Sequence, residues 1–447
     1  MSQLKAGASR VVISPLEDMF PYPQATLNGE AMYTWVRQDI YVRGIAVDDG
    51  QERVLFLIQE MNGARNTEMI KAKITEKCDI KQENIFICAT HNHSVTAPVE
   101  LTERVDKWGK PIGENQLKYS AYLVEQSAQA GIEALNSMRP AKLGYGKGNS
   151  YINVSRDEQL PDGRFIFGRN FERPSDKTLY VIKLVDMEDR LIAAVLNYGV
   201  HSTMCFRTRD ENGNMCVSGD LAGEIAAFVE ESYKDDQAVV AWTNAAGANQ
   251  TPILSFFHTY YPDGTYVPDE RFNNYYTTTF MWDLCRHLGQ KQGVDAVQIL
   301  RKIDDYSSDV KIKQTDKLIM LPGTEVKGFG VPELKDDRLI DDSKIYNVDA
   351  DALPMKLKLI EFGNLAVFGV NCEIMAEIGL RLKERSPFKE TMLISHYESG
   401  GSGRYFVDKW GYENHTPSYY RNTVKDACTE EMVGDAMMEM FETLSKQ

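Results

Sequence analysis

The chain reads as an α/β protein with a mixed central β-sheet flanked by helices. Three observations predict that class. Residues 54–59 (VLFLIQ) and 84–89 (NIFICA) are strongly apolar, as strands covered on both faces are. Between them, residues 66–77 carry Met69, Ile70 and Ile74 at helical spacing. The same alternation of strand-like and helix-like segments continues to residues 430–444.

The two runs around a helix predict a βαβ unit and a parallel strand pair. Residues 116–137 then read as a longer helix. Residues 179–185 and 191–198 are β-rich, with a turn at 187–190. Residues 220–233 place Leu221, Ile225, Phe228 and Val229 on one helical face. Residues 238–242 form another apolar run. Residues 355–362 alternate apolar and polar side chains, and 365–370 read as a buried strand. A helix is expected over 373–384, opened by Glu373, and a last one over 430–444. Residues 313–353 are charged and weakly periodic, and read as an excursion. Residues 256–276 are dense in Phe and Tyr, which suits a lid, a pocket wall or a packed surface loop. With no repeat and no low-complexity linker, one domain over 1–447 is expected.

Of 447 residues, 43% are hydrophobic, enough for a large core. Lys and Arg number 50 against 65 Asp and Glu, a net charge of −15. That balance argues against nucleic acid and anionic membrane surfaces as partners. No apolar run reaches the roughly 18 residues of a membrane span, so no integral membrane contact is expected. The opening MSQLKAGASRVVISP has no basic segment followed by an apolar one. The seven cysteines are scattered, without a C-x-x-C pair, and suit reduced thiols. Together these two features predict a cytoplasmic protein.

The chemistry starts at Thr90-His91-Asn92-His93-Ser94, directly after an apolar run. Side chains two apart on extended backbone share one face, so His91 and His93 project together. Strand carboxyl ends are where open α/β sheets place ligands. Histidine is the commonest transition-metal ligand at neutral pH, though a hydrogen-bonded loop is the other reading. His201 ends the run 191–198 in the same way. Glu373 follows the run 365–370 and is either an ordinary first-turn carboxylate or a third ligand. Two imidazoles and one carboxylate suit catalytic zinc, which commonly takes three protein ligands and a water. The ligands stand 110 (201 − 91) and 172 (373 − 201) positions apart. Only a tertiary fold assembles such a site.

These residues resemble the catalytic region of the neutral, non-lysosomal ceramidases and their bacterial homologues, over most of the length. Ala89-Thr90-His91-Asn92-His93-Ser94 resembles A-T-H-T-H-S. Asn197-Tyr198-Gly199-Val200-His201-Ser202-Thr203 resembles N-Y-A-V-H-P-T, and Asn153-Val154-Ser155-Arg156 resembles a segment N-x-N-R. Ser218-Gly219-Asp220 resembles S-x-D, and Asn371-Cys372-Glu373 with Glu377 and Gly379 resembles P-G-E-x-x-x-E-x-G. Tyr405 and Gly411-Tyr412-Glu413 match the G-Y and G-Y-E positions. The chain departs at Gly247-Ala248-Asn249-Gln250-Thr251-Pro252, where the family has G-D-x-S-P or G-D-x-N-P; Asn249 or Thr251 then takes the polar role. Glu60 stands where homologues often carry Asp, and Ser399-Gly400-Gly401-Ser402 lacks the family's Asn.

The resemblance implies one zinc ion per chain, held by His91, His201, Glu373 and Tyr405. It implies His93, Arg156 and Tyr412 around the scissile amide. It also implies the ceramidase catalytic fold, here without the C-terminal β-domain of the long secreted ceramidases. The expected function is zinc-dependent hydrolysis of an N-acyl amide, with a small-molecule amide or lipid-like substrate. The alternatives are the same site acting on a small polar amide, ester or lactone, or a binding homologue without catalysis. A Ser202 or Thr251 nucleophile would lack an elbow motif.

Overall fold

A computed structural model of the chain describes residues 3–23, 32–96, 98–105, 111–160, 163, 165–255, 279–327, 346–398, 405–419 and 422–446. Its centre is an eight-stranded mixed sheet. The strand order is Val239–Asn244, Leu191–Tyr198, Thr178–Asp186, Arg139–Asn149, Lys5–Val12, Tyr41–Asp48, Arg53–Gln59, Ile85–Ala89. The outermost pair at each end is parallel and the pairs between are antiparallel. A four-stranded sheet runs Ile312–Lys327, Tyr346–Phe362, Leu365–Val370, Glu390–Ile394, with a parallel last pair.

Period-2 side-chain alternation explains the layering. Leu55 and Leu57 face a core under helices Thr67–Thr75 and Glu114–Asn136, with Ile70, Ile74, Tyr119 and Leu123. Phe56, Ile58 and Phe86 point the other way, into a core shared with Ile360, Phe362, Val367 and Ile394 of the smaller sheet. Ala194 and Leu196 pack under helices Asp220–Ser232 and Phe280–Lys302. Ala366, Phe368 and Val370 pack under helices Ala376–Arg385 and Thr429–Ser445. The layers are therefore helices, large sheet, small sheet, helices. The expected mixed sheet with flanking helices is present, and a second sheet lies stacked on it.

The large sheet curls until its two ends meet. Asn92, past one edge strand, forms a parallel bridge with Ser202, past a strand at the other end. His93 N donates to Ser202 O at 3.0 Å. This curl brings two distant carboxyl ends into one place.

Two expectations are corrected. Glu373 does not open a helix: Glu373–Ile374 is a short strand parallel to Tyr405–Phe406, and the helix begins at Ala376. The described part of 313–353 is not irregular, because it forms two arms of a long antiparallel pair. The aromatic segment 256–276 and Ser399 to Arg404 lie outside the described residues. Among the described residues, no helix is long and apolar enough to cross a membrane.

Candidate metal centre

His91 follows the strand Ile85–Ala89 on backbone with φ +59°, in the left-handed region that disfavours side-chain-bearing residues. Its Nδ1 lies 3.0 Å from Asn62 O. His201 Nδ1 lies 2.9 Å from Gly247 O and 3.1 Å from Gln250 O. A carbonyl only accepts, so both Nδ1 atoms carry a proton, and in the neutral tautomer both Nε2 atoms present lone pairs. Those two Nε2 atoms each lie 3.3 Å from the same oxygen, Glu373 Oε2. Tyr405 Oη lies 3.3 Å from His201 Nε2, brought there by the pairing of Glu373 with Tyr405.

The donor set fits a divalent cation. Glu373 Oε2 is buried and takes no hydrogen bond. Lone pairs facing a carboxylate oxygen repel one another unless a positive charge sits among them. Ligands about 2.0–2.1 Å from a tetrahedral ion stand about 3.3 Å from each other, as these do. Burial pushes the Glu373 carboxyl up, and positive charge on His91 or His201 outweighs it, holding the carboxyl well below its usual range; a bound cation would act in the same direction. Burial and then Arg156 pull His201 down to about 4. Neutral imidazole beside ionised carboxylate is the state a metal needs.

His93 Nε2 lies 3.0 Å from His91 Nε2, with the two rings at 88°. Burial, then His91 and His201, hold His93 well below the ordinary histidine value. Arg156 is buried on strand Asn153–Gln159, with Nη1 3.2 Å from His201 Nε2. Its guanidinium stacks over Phe167 at 4.8 Å and Tyr405 at 5.3 Å. Thr251 sits on the next strand, opposite Val154, and its buried Oγ1 has no hydrogen-bond partner. Asn249 is committed elsewhere: Oδ1 accepts from Ala376 N and Nδ2 donates to Glu377 Oε2. Of the two candidates for the polar role, Thr251 is therefore the one with a spare group. Tyr412 packs beside Tyr405, Ala248 and Met375, and its Oη accepts from Asn347 Nδ2 at 3.2 Å. Glu60 serves structure, paired with buried Arg43 and accepting from Tyr41 N. The structure thus gathers His91, His93, His201, Glu373, Tyr405 and Arg156 around one point. Thr251 lies on the strand beside that of Arg156, and Tyr412 packs against the small cluster that contains Tyr405.

Two residues escaped the sequence reading. His396 lies against His91, and its signal was available: it too follows a strand, Glu390–Ile394. Four of the chain's seven histidines meet here. The other is Asp157, behind Arg156. Burial pushes its carboxyl up to about 7, against the pull of Arg156, and its buried Oδ1 has no partner. Between about pH 4 and 7 the folded state holds a proton that the unfolded chain has released. That contribution to stability is complete below about pH 4 and is lost as pH rises through about 7. Asp157→Asn mimics the protonated group. It is expected to match the parent below about pH 4, to exceed it slightly near pH 5, and to exceed it at pH 8 by on the order of 4 kcal/mol in urea unfolding. Parallel pH dependence of the two proteins would contradict the assignment.

A curled mixed sheet with a second sheet stacked on it, and a buried His, His, Glu, Tyr cluster at the strand ends, defines a mixed α/β protein with a candidate metal centre. The profile described as "Neutral/alkaline non-lysosomal ceramidase, N-terminal" matches residues 24–259. The chain belongs to the neutral/alkaline non-lysosomal ceramidase family. It is 26% identical over 167 residues to neutral ceramidase A of Dictyostelium discoideum. That match takes in 36% of this chain but only 22% of the relative. The fold resembles the crystal structure of neutral ceramidase from Pseudomonas aeruginosa, with TM-score 0.71 and 14% identity over 98% of this chain and 74% of that one. A ceramidase structure complexed with C2 gives TM-score 0.74 and 13% identity over 100% of this chain and 76% of that one.

Proposed function

We propose that the chain is a zinc-dependent amide hydrolase of the neutral ceramidase type, with one ion held by His91, His201, Glu373 and Tyr405. The observation that carries this reading is the 3.3 Å spacing of both histidine Nε2 atoms from an otherwise unpartnered Glu373 oxygen. A divalent cation held by these four residues would supply Lewis acidity, lowering the pKa of a water to roughly 7 and polarising a carbonyl. The chain's own residues supply the rest. Neutral His93, beside His91, takes a proton from the attacking water and returns it to the leaving nitrogen. Arg156, pinned between Phe167 and Tyr405, offers N–H groups to the developing oxyanion; loss of one such donor typically costs ~3 kcal/mol. Thr251 Oγ1 and Tyr412 Oη hold substrate polar atoms at the rim. Family membership supports an N-acyl, lipid-like amide as substrate. The scattered spacing of the seven cysteines, with no C-x-x-C pair, suits a reducing compartment such as the cytoplasm.

The test is metal analysis joined to a panel of N-acyl amides, short peptides, esters and lactones. The expected outcome is about one zinc per chain and cleavage of N-acyl amides. Chelation is expected to abolish turnover and zinc to restore it. Full turnover in metal-free protein would overturn the reading. Cleavage of only the esters or lactones would move it to the small-substrate alternative.

A further inference from the structure

The fourth histidine at the centre has a different relation to His91 from the others. The rings of His91 and His396 stack with centroids 4.0 Å apart and planes only 14° from parallel. By contrast, His91 meets His93 at 88° and His201 at 72°. An imidazole nitrogen binds a metal along its lone pair, in the ring plane, at about 2 Å. Planes that cross steeply share points where an ion can sit. Two planes lying one ring thickness apart and nearly parallel do not share such a point near both nitrogens. His396 therefore cannot ligate the ion that His91 binds, although its nitrogen lies close enough to His91 and Glu373 for the three to be grouped by distance alone.

We propose that His396 is a positioning residue, whose ring backs the face of His91 and aims His91 Nε2 at the metal position. The segment that carries it is fixed on both sides. Ser395 N donates to Asn244 O at 2.8 Å, and Ser395 Oγ to Ala245 O at 2.7 Å. Tyr397 N donates to Val370 O at 3.0 Å, and Glu398 N to Ile87 O at 2.9 Å, within the strand that leads to His91. Glu398 is further held by Lys71 and Lys356. His91 is thus constrained at an edge by Asn62 O and across a face by His396. An edge contact alone leaves the ring free to swing about the Nδ1–H···O direction. The flat wall removes that swing. Outer-shell partners of this kind typically change metal affinity 10–100-fold.

This inference rests on the metal-centre reading above, and one experiment separates the two. Metal-free parent, His396→Phe, His396→Ala and His91→Ala proteins are titrated with Co2+. The readouts are the dissociation constant and the visible absorption band, with circular dichroism as the check on folding. Phenylalanine keeps the stacked wall and has no lone pair. His396→Phe is expected to hold Co2+ within about threefold of the parent with the same band. His396→Ala is expected to weaken binding about 10–100-fold and to shift the band. His396→Leu, which fills the volume without a flat ring, is read in the same way if the alanine variant does not fold. Loss of the ion from His396→Phe as complete as from His91→Ala would make His396 a ligand and overturn the proposal. Unchanged affinity and band in His396→Ala or His396→Leu would make it a bystander and overturn it too. A parent protein that takes up no Co2+ sinks both readings, whereas either of the other two results leaves the metal centre standing.

Discussion

Glu373→Gln is expected to cost the protein its divalent ion and about 10³-fold in turnover, equivalent to ~4 kcal/mol in the barrier. The amide matches the carboxylate in shape but carries no charge. Glu373 Oε2 has no hydrogen-bond donor to lose, because it faces only the two histidine Nε2 atoms. The substitution therefore removes one thing, the negative charge among the lone pairs. In the presence of chelator, the unfolding temperature should stay level or rise, since electrostatic repulsion is relieved. Zinc content and kcat measured side by side decide the matter. A variant with stoichiometric zinc and parental turnover would refute the ligand assignment.

His93→Ala is expected to separate binding from chemistry. Zinc stays at one per chain, KM changes little, and kcat falls roughly 10²–10⁴-fold, the range for loss of a proton-transfer group. His93 Nε2 lies 3.0 Å from His91 Nε2. Free imidazole added to the assay should restore part of the rate. The competing arrangement is a trio of His91, His93 and His201, whose donor atoms also lie within 4.8 Å of one another. Loss of zinc from His93→Ala would favour that trio and return Glu373 to the second shell of contacts.

The strand-end histidines were legible because the apolar runs before them are unmistakable. Residues 84–89 and 191–198 fill both faces with apolar side chains, so the residues that follow must emerge at a sheet end. For Glu373 the local sequence left two readings open, a first-turn carboxylate or a third ligand, and the motif resemblance favoured the second. Its local pattern suggested a helix, and what overrode that was the pairing with Tyr405, a contact between segments more than 30 residues apart. The helix Phe280–Lys302 went unread for a packing reason. Gly289 and Gly293 interrupt its pattern, and both are needed where it crosses Asp220–Ser232. A Cβ at Gly293 would stand 2.3 Å from Phe228 Cδ1. The smaller sheet was half hidden for another reason: its outer strand Ile312–Lys327 exposes Leu318 and Met320, so no clean alternation survives. Asp157 and His396 show the remaining limit. Both look ordinary in their own segments, and what makes each unusual is which distant neighbour it meets.

The curl that joins the two ends of the large sheet also sets an order of events during synthesis. His91 and His201 lie among the first 201 residues, while Glu373 is made 172 residues (373 − 201) later. Glu373 reaches the histidine pair only once the small sheet has been translated and docked. If the ion is held as proposed, the full donor set closes only in the finished molecule, and loading would report that both sheets have met.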